Sequence, residues 1–256
     1  LTAATSAQNR AGSALEGEGG GYRMEFFGPK TRPLAIFWDA GALMTAPPSL
    51  ARSTAFSVYW RALMNMGAVR AANPLVQASR YHGFKLAHAA LPRVANPADY
   101  EARIDMCAAA LLQNRDEDDG GRPFDAHWIA RVVYALAAAT FNRVPDVDQG
   151  QANAALTGAA IRHFGGRCPE VAIEIGRAIG AWDDSFAAEQ APQHVGHAVD
   201  ALFASLGMPT RLRALNVPRD ELDMIVRFSL QNFNADRDRS FVHNQEALAA
   251  TLSDAW

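Results

Sequence analysis

Cysteine is scarce in this chain, with only two residues among 256. Cys107 and Cys168 lie far apart and show no metal-type spacing, so the sequence predicts two reduced thiols rather than a disulfide framework or a cysteine-bound metal. Long apolar runs are missing as well: none approaches the roughly 18 residues of a membrane span. We therefore expect no membrane partner.

An excess of basic charge is also missing. The 24 Lys and Arg residues are scattered along the chain and the formal net charge is −3. This composition lacks the basic patch that nucleic-acid-binding proteins carry, so we expect no nucleic-acid partner. Residues 1–23 lack the charged-then-apolar pattern of a secretory signal, which predicts a cytoplasmic protein.

The sequence is rich in apolar residues repeated at helical spacing. Helix-start signals precede several of these segments: Pro47 and Pro48 stand before Ser49, and Asn–Pro pairs begin at Asn73 and Asn96. The periodicity predicts helices at residues 49–67, 73–90, 97–113, 123–141, 150–164, 168–182, 193–206, 219–231 and 243–255. We therefore predict an all-α helical bundle over residues 41–256, with short connections between helices.

Residues 1–40 have a different composition, rich in Gly, Ser, Ala and Glu, and predict an N-terminal arm with a short strand or hairpin. The apolar run PLAIFWD at 33–39 predicts a buried strand, and residues 22–27 a second short one. GEGGG at 17–21 is only a weak phosphate-loop signal, because no strand–turn–helix pattern surrounds it. The acidic stretch 114–123 predicts a solvated loop between two helices.

Three segments resemble one enzyme family. LFASLGMPTRLRALNVPRDELDMIVRFSLQN (202–232), NPLVQASRYHGFKLAHAALPRVANPADYEAR (73–103) and RPLAIFWDAGALMTAPPSLARST (32–54) resemble iron-containing alcohol dehydrogenases, most of all maleylacetate reductases. The resemblance implies the fold of that family's all-helical C-terminal domain. LTAATSAQNRAGSALEGE at the start is similar to a modified Thr-Thr…Gly-Ser-Glu segment, which lines the family's nucleotide site. The family's dinucleotide-binding first half has no counterpart among these 256 residues.

The resemblance also implies where a metal ion would bind. The family's ligands are one Asp (or Asn) and three His, the first two at i and i+4 on one helical face. Carried over from the segment 39–47, those two positions are Ser57 and Arg61. A guanidinium has no lone pair to give to a metal. The resemblance, together with this departure from the family pattern, implies a lost metal site, and we expect neither a metal ion nor another cofactor.

The third and fourth ligand positions are open between alternatives. The third falls on Arg131, or on Tyr134 if an insertion is placed elsewhere; the fourth falls on Asp146 or on Gln149. No combination restores three histidines, and iron and zinc need imidazole or carboxylate ligands that converge.

Arginines in place of metal ligands suggest an anion pocket, because a guanidinium binds a carboxylate bidentately. We assign catalytic roles to Arg61, Arg131 and His127, whose imidazole would act as a base one helical turn before Arg131. Residues predicted to bind substrate are Ser57, Trp60, Tyr134, Asp146 and Gln149, with the aromatic rings as an apolar wall. The alternative is that the arginines pair internally, with partners drawn from Asp125, Asp146 and Asp148.

Three hypotheses for function follow. The first is a metal-free small-molecule enzyme that acts, without redox chemistry, on an aromatic or carboxylate-bearing compound. The second is a non-catalytic binding subunit. The third is the substrate half of a maleylacetate reductase-like oxidoreductase whose nucleotide domain is on another chain. The expected partners are a small carboxylate or aromatic ligand and either a second copy of the chain or a separate nucleotide-binding subunit.

Overall fold

The N-terminal part of the computed structural model contains a β-hairpin. The structure describes residues 1–16, 23–119 and 127–256. Strands β1 (Gly12–Glu16) and β2 (Arg23–Phe27) pair antiparallel, with Gly12 opposite Phe27. The second strand lies where residues 22–27 predicted one, whereas the glycine-rich stretch 17–21 lies outside the described residues.

The rest of the described chain is a helical bundle, which confirms the predicted all-α class. Its α-helices are α1 (Ala40–Met44), α2 (Pro48–Gly67), α3 (Pro74–Ala90), α4 (Tyr100–Asp118), α5 (Trp128–Arg143), α6 (Gln149–Phe164), α7 (Pro169–Ala178), α8 (Ala191–Ser205), α9 (Leu222–Ser229) and α10 (Gln245–Ala255). Several begin at side-chain caps: Asn73 accepts from the backbone of α3, and Asp148 forms a capping box with Gln151 at the start of α6. These caps satisfy backbone N–H groups that a helix start leaves unpaired.

Helices α2 and α6 form the centre of the bundle. α2 packs against α3, α4, α6 and α7, and α6 packs against α5, α8 and α10. Both are buried on nearly every side over much of their length, which explains why their apolar residues form no single stripe. Small residues allow this packing: a Cβ at Gly158 would lie 2.0 Å from Oδ1 of Asp200 on α8. Glycine therefore lets α8 approach α6 closely at this point.

The predicted buried strand at 33–39 is wrong. These residues belong to no strand, and within the described part of the chain residues 33–38 form no backbone–backbone hydrogen bond. Leu34 is fully exposed and Phe37 is 81% exposed. The apolar pattern is typical of a strand covered on both faces, but the described residues provide no neighbouring strand for it. The division of the chain at residue 40 stays a prediction.

The prediction of a solvated loop at 114–123 is wrong over its first five residues. Helix α4 continues to Asp118, and two of the polar residues are buried, Asn114 at 4% exposure and Asp116 at 0%. Asp116 forms an ion pair with Arg80 of α3, and Asn114 accepts a hydrogen bond from Arg61 of α2. Polar side chains thus face the interior here because partners on neighbouring helices satisfy them.

Candidate functional site

An open cavity of about 720 Å³ lies between the N-terminal segment, α2, α5 and the start of α6. The segment that follows α9, residues 231–234, lines another side. Among the described residues, the charged side chains that line it are those of Arg10, Arg52, Arg61 and Asp148. Three cations and one anion give the cavity a positive bias, which favours an anionic ligand.

Helix α2 contributes one wall through Ser57, Trp60 and Arg61. Their i, i+3 and i+4 spacing places the three side chains on one helical face. The indole Nε1 of Trp60 donates to Oγ1 of Thr157 on α6 at 3.0 Å, which fixes the ring. A Cβ at Gly150 would lie 2.5 Å from the carbonyl oxygen of Ser53, so glycine permits α6 to begin directly beside this wall.

The guanidinium of Arg61 is buried at the cavity, with 5% of the residue exposed. Nη1 donates to Oδ1 of Asn114 at 2.7 Å, and Nη2 donates to the carbonyl oxygen of Gln113 at 3.1 Å. Both acceptors belong to α4, the helix whose end was predicted as a loop. These bonds hold the plane of the guanidinium against the cavity wall.

The structure distinguishes the alternatives for the third and fourth positions. Tyr134 on α5 and Gln149 at the start of α6 line the cavity together with Ser57 and Arg61. Arg131 and Asp146 are not among the lining residues. Of the two possible registers at each position, the geometry thus favours Tyr134 and Gln149 as neighbours of the α2 wall.

Arg131 lies against the segment that precedes α10. Its Nη2 donates to Asp236 at 2.8 Å and to Asp238 at 2.7 Å, while Nε donates to the carbonyl oxygen of Ala235 at 2.6 Å. The guanidinium also stacks over the ring of Trp128 at 4.6 Å. This is the internal pairing that the alternative hypothesis described, but with acids about 105 residues away in the sequence rather than with Asp125, Asp146 or Asp148. Of these three, Asp125 lies outside the described residues.

His127 is the N-cap residue of α5 and also differs in position from the expectation. Its Nδ1 accepts from the backbone N–H of Ala130 at 3.2 Å, and Nε2 donates to the carbonyl oxygen of Met64 at 3.0 Å. Burial, assisted by the charge of Arg80, lowers the pKa of His127 to about 4. The imidazole does not line the cavity, and its two ring nitrogens bind backbone groups of Ala130 and Met64, so the predicted base-and-clamp pair is not assembled in this structure.

Several cavity residues escaped the sequence reasoning. Arg10 and Arg52 line it, as do the polar residues after α9. Asn114, which orients Arg61, lay inside the predicted loop. The helical period of α2 could have indicated Ser53 and Arg52 near Ser57, since they lie about one turn earlier. The contributions of the N-terminal segment and of residues 231–234 depend on tertiary contacts that no local pattern encodes.

The residues at the four resemblance-derived positions do not suit a divalent metal ion. In the favoured register they present two hydroxyls, an amide and a guanidinium, which lack the converging imidazole and carboxylate donors of iron or zinc sites. Within the described ranges, no group of three or more His, Cys, Asp and Glu side chains is arranged to hold a metal.

We expect purified protein to contain no stoichiometric iron or zinc, because Ser57 and Arg61 cannot replace carboxylate and imidazole. Elemental analysis measures this directly. Thermal unfolding with added Zn²⁺ or Fe²⁺ is a second test, since a ligand present at 100 times its Kd would stabilise the fold by about 2.7 kcal/mol. Near-stoichiometric metal that is lost in a Gln149→Ala variant would contradict the expectation.

A membrane-spanning segment is not found: no described helix is both long enough and apolar enough to cross a bilayer. The described residues also contain no parallel strands joined by a helix, the unit that holds dinucleotides in many enzymes.

Comparisons with known proteins agree with the fold. A search of curated protein sequences gives no match. The structure is similar to a 1,3-propanediol oxidoreductase, with a TM-score of 0.80 and 21% identity over 100% of this chain and 64% of that one. It is similar to an alcohol dehydrogenase from Oenococcus oeni (TM-score 0.80, 19% identity, 100% and 64% covered). It is also similar to a maleylacetate reductase from Agrobacterium tumefaciens (TM-score 0.72, 18% identity, 100% and 65% covered).

The chain thus spans less than two thirds of the length of these proteins. At such identities the structural likeness shows the fold. The sequence itself matches the model of the "Fe-containing alcohol dehydrogenase family, C-terminal" over residues 67–256. Because that match takes in most of its length, the chain belongs to the Fe-containing alcohol dehydrogenase family.

Proposed function

We propose that the cavity binds a small carboxylate-bearing compound with an aromatic or flat apolar part, and that the protein acts on it without a bound metal ion. The observation that carries this proposal is the convergence of Ser57, Trp60, Arg61, Tyr134 and Gln149 on one cavity. The cavity volume of about 720 Å³ is ordinary for small-molecule sites.

The charge of the cavity supports a carboxylate. Arg61 holds a fixed guanidinium plane at the cavity wall, and Arg10 of the N-terminal segment and Arg52 near the start of α2 add positive charge. A guanidinium is protonated at any physiological pH and presents donors in a planar fork that suits a carboxylate. The family resemblance implies that Arg61 occupies a former metal-ligand position, so its charge would take over the role of the metal ion's charge in holding a substrate.

The cavity also supports an apolar, planar group. Aromatic side chains line it from three directions: Trp60 on α2, Tyr134 on α5, and Phe228 and Phe233 near the end of α9. Hydroxyl groups of Ser53 and Ser57 lie on the same wall as Arg61. A ligand could therefore place its ring among the aromatic residues and its carboxylate at the arginine.

Benzoate is a suitable probe, with benzamide as its neutral counterpart. We expect Arg61→Met to weaken benzoate binding by about tenfold or more, since a charge-assisted hydrogen bond contributes about 1.5–3 kcal/mol and tenfold corresponds to about 1.4 kcal/mol. Benzamide binding should change less, because it carries no charge for the guanidinium to compensate. Calorimetric titration of both probes into both proteins measures the difference.

Arg131→Met is the matched control. The same side-chain change removes a guanidinium that pairs with Asp236 and Asp238 and does not line the cavity. This variant should lose stability and keep its affinity for benzoate. If instead Arg61→Met leaves benzoate binding unchanged, Arg61 is not the carboxylate-binding residue and the proposal fails.

Exposure of the 33–39 segment favours a second candidate function. An apolar run with Leu34 and Phe37 exposed suits contact with another part of a larger protein. The chain would then be the substrate-binding part of an oxidoreductase whose nucleotide-binding part lies elsewhere. Titration of NADH tests this: micromolar binding by this chain alone, about 8 kcal/mol, would contradict the candidate.

A further inference from the structure

The N-terminal residues 4–10, which we call the strap, form part of the cavity wall. Ala4, Thr5, Ser6 and Arg10 line the cavity, and the strap includes a short 3₁₀ turn at Ser6–Asn9. Most of the strap is only partly buried. Its position therefore depends on the few hydrogen bonds that tie it to the helical bundle.

Asn114 provides one of these attachments from the buried end of α4. Its Nδ2 donates to the carbonyl oxygen of Ser6 at 2.5 Å and to Oδ1 of Asn9, while its Oδ1 accepts from Arg61. Because a guanidinium only donates hydrogen bonds, the amide oxygen must face Arg61 and the amide nitrogen must face the strap. The amide of Asn114 thus has one orientation, set by the arginine.

Gln8 provides a second attachment that does not involve Arg61. Its Nε2 donates to the carbonyl oxygen of Cys107 on α4 at 2.7 Å, and its Oε1 accepts from Nε1 of Trp38 at 2.7 Å. Both attachments tie the strap to the bundle, and in the first of them Asn114 binds Arg61 and the strap at the same time.

We propose that Asn114 is a positioning residue that couples Arg61 to the strap, so that an anion that fixes the Arg61 guanidinium also holds the strap more firmly at the cavity. This proposal rests on the proposed function for its ligand, but the coupling itself exists in the free protein. Hydrogen bonds in such a chain polarise one another, so loss of the arginine weakens the bonds that Asn114 donates to Ser6 and Asn9.

Hydrogen exchange of backbone amides in residues 4–10 tests the coupling without a ligand. Asn114→Leu should speed this exchange by about tenfold, because it removes the buried donor that holds the strap. Arg61→Met should speed it by about threefold or more, although the change is made on α2. Gln8→Leu should speed it too, as a control that loosens the strap by a separate route.

Double variants separate coupling from simple loosening. Arg61→Met should add little to exchange in an Asn114→Leu background, since both act through the same bonds. It should retain its full effect in a Gln8→Leu background. Equal added effects in the two backgrounds, or no effect of Arg61→Met on the strap at all, would overturn the proposal.

Benzoate then tests whether a bound anion holds the strap more firmly. It should slow strap exchange in the wild-type protein and in Gln8→Leu, and should fail to do so in Asn114→Leu. If Arg61→Met weakens benzoate binding but benzoate leaves strap exchange unchanged, the strap proposal is contradicted and the proposed function stands. Conversely, the double variants could show the expected exchange rates while benzoate fails to bind. That result would support the positioning role of Asn114 and count against the proposed function.

Discussion

Arg80→Met is expected to lower the free energy of unfolding by about 3–5 kcal/mol, the typical cost of leaving one member of a buried ion pair without its partner. Nε and Nη2 of Arg80 donate to the Asp116 carboxylate, the closest contact being 2.8 Å. Their side chains are 4% and 0% exposed, so water cannot replace the lost donor. Urea unfolding of the variant and the wild type measures the loss.

Arg93→Met is the matched control, because it removes the same type of side chain from a more exposed pair. Arg93 binds Asp99 with its side chain 45% exposed, where solvent screens the interaction. It should change the unfolding free energy far less. Adding Asp116→Leu to Arg80→Met should restore part of the stability, since the buried charge is removed as well. A double variant no more stable than the single one would show that the cost arises from lost packing instead.

This ion pair also bears on the cavity. Nη1 of Arg80 donates to the carbonyl oxygen of Ala68, the residue that caps the end of α2, at 2.9 Å. Asp116 lies two residues after Asn114 on α4. Arg80 therefore ties together the end of the helix that carries Arg61 and the helix that orients it. We expect Arg80→Met to bind benzoate more weakly as well, because the variant loosens the packing of the end of α2 against α4.

Local sequence signals predicted much of the helical part of the fold, because helix starts depend on nearby residues. Pro47 and Pro48 begin α2, and the Asn73–Pro74 pair begins α3, as the sequence indicated. Ser57, Trp60 and Arg61, the first two predicted to bind substrate and the third predicted to be catalytic, share a helical face for the same local reason. The spacing predicts the shared face, whereas the choice of this face as part of a site came from the family resemblance.

The failed expectations concern contacts between distant segments. A buried strand at 33–39 requires a neighbouring strand, which sequence alone does not guarantee. Arg131 pairs with Asp236, 105 residues further on, and no periodicity links these two positions. Asn114 and Asp116 were placed in a loop because charged runs are usually solvated, yet partners on α2 and α3 keep them inside. Long-range pairing decided each case.

The stability of the protein is expected to fall between pH 6.5 and pH 4 because of His127. The unfolded chain takes up a proton on this histidine below about pH 6.5, whereas burial lowers its pKa in the folded protein to about 4. The unfolded state therefore binds more protons in this interval, and stability decreases as the pH falls. The contribution is complete above pH 6.5, and its loss reaches about 3 kcal/mol near pH 4.

The geometry gives the same sign as the pKa. Nδ1 of His127 accepts from the backbone N–H of Ala130, so a second proton on the ring would face a donor. Nε2 already donates to the carbonyl oxygen of Met64. The neutral ring satisfies both neighbours, while the charged ring loses the helix cap and places a cation near Arg80. Protonation thus weakens the start of α5, and the bond to Met64, which a charged ring keeps, does not offset the cost of burying the charge.

His127→Asn separates this effect from the titration of carboxylates. Asparagine is a good N-cap and can still accept from Ala130, but it does not titrate. The variant should be less stable than the wild type at pH 7, because it loses the bond to Met64 and buried ring surface, yet its stability should fall less on acidification. Urea unfolding of the wild type and the variant at pH 7 and pH 4.5 measures how much stability each protein loses on acidification. Equal losses in the two proteins would contradict the assignment of His127 as a neutral, buried group and would show that other residues cause the acid sensitivity.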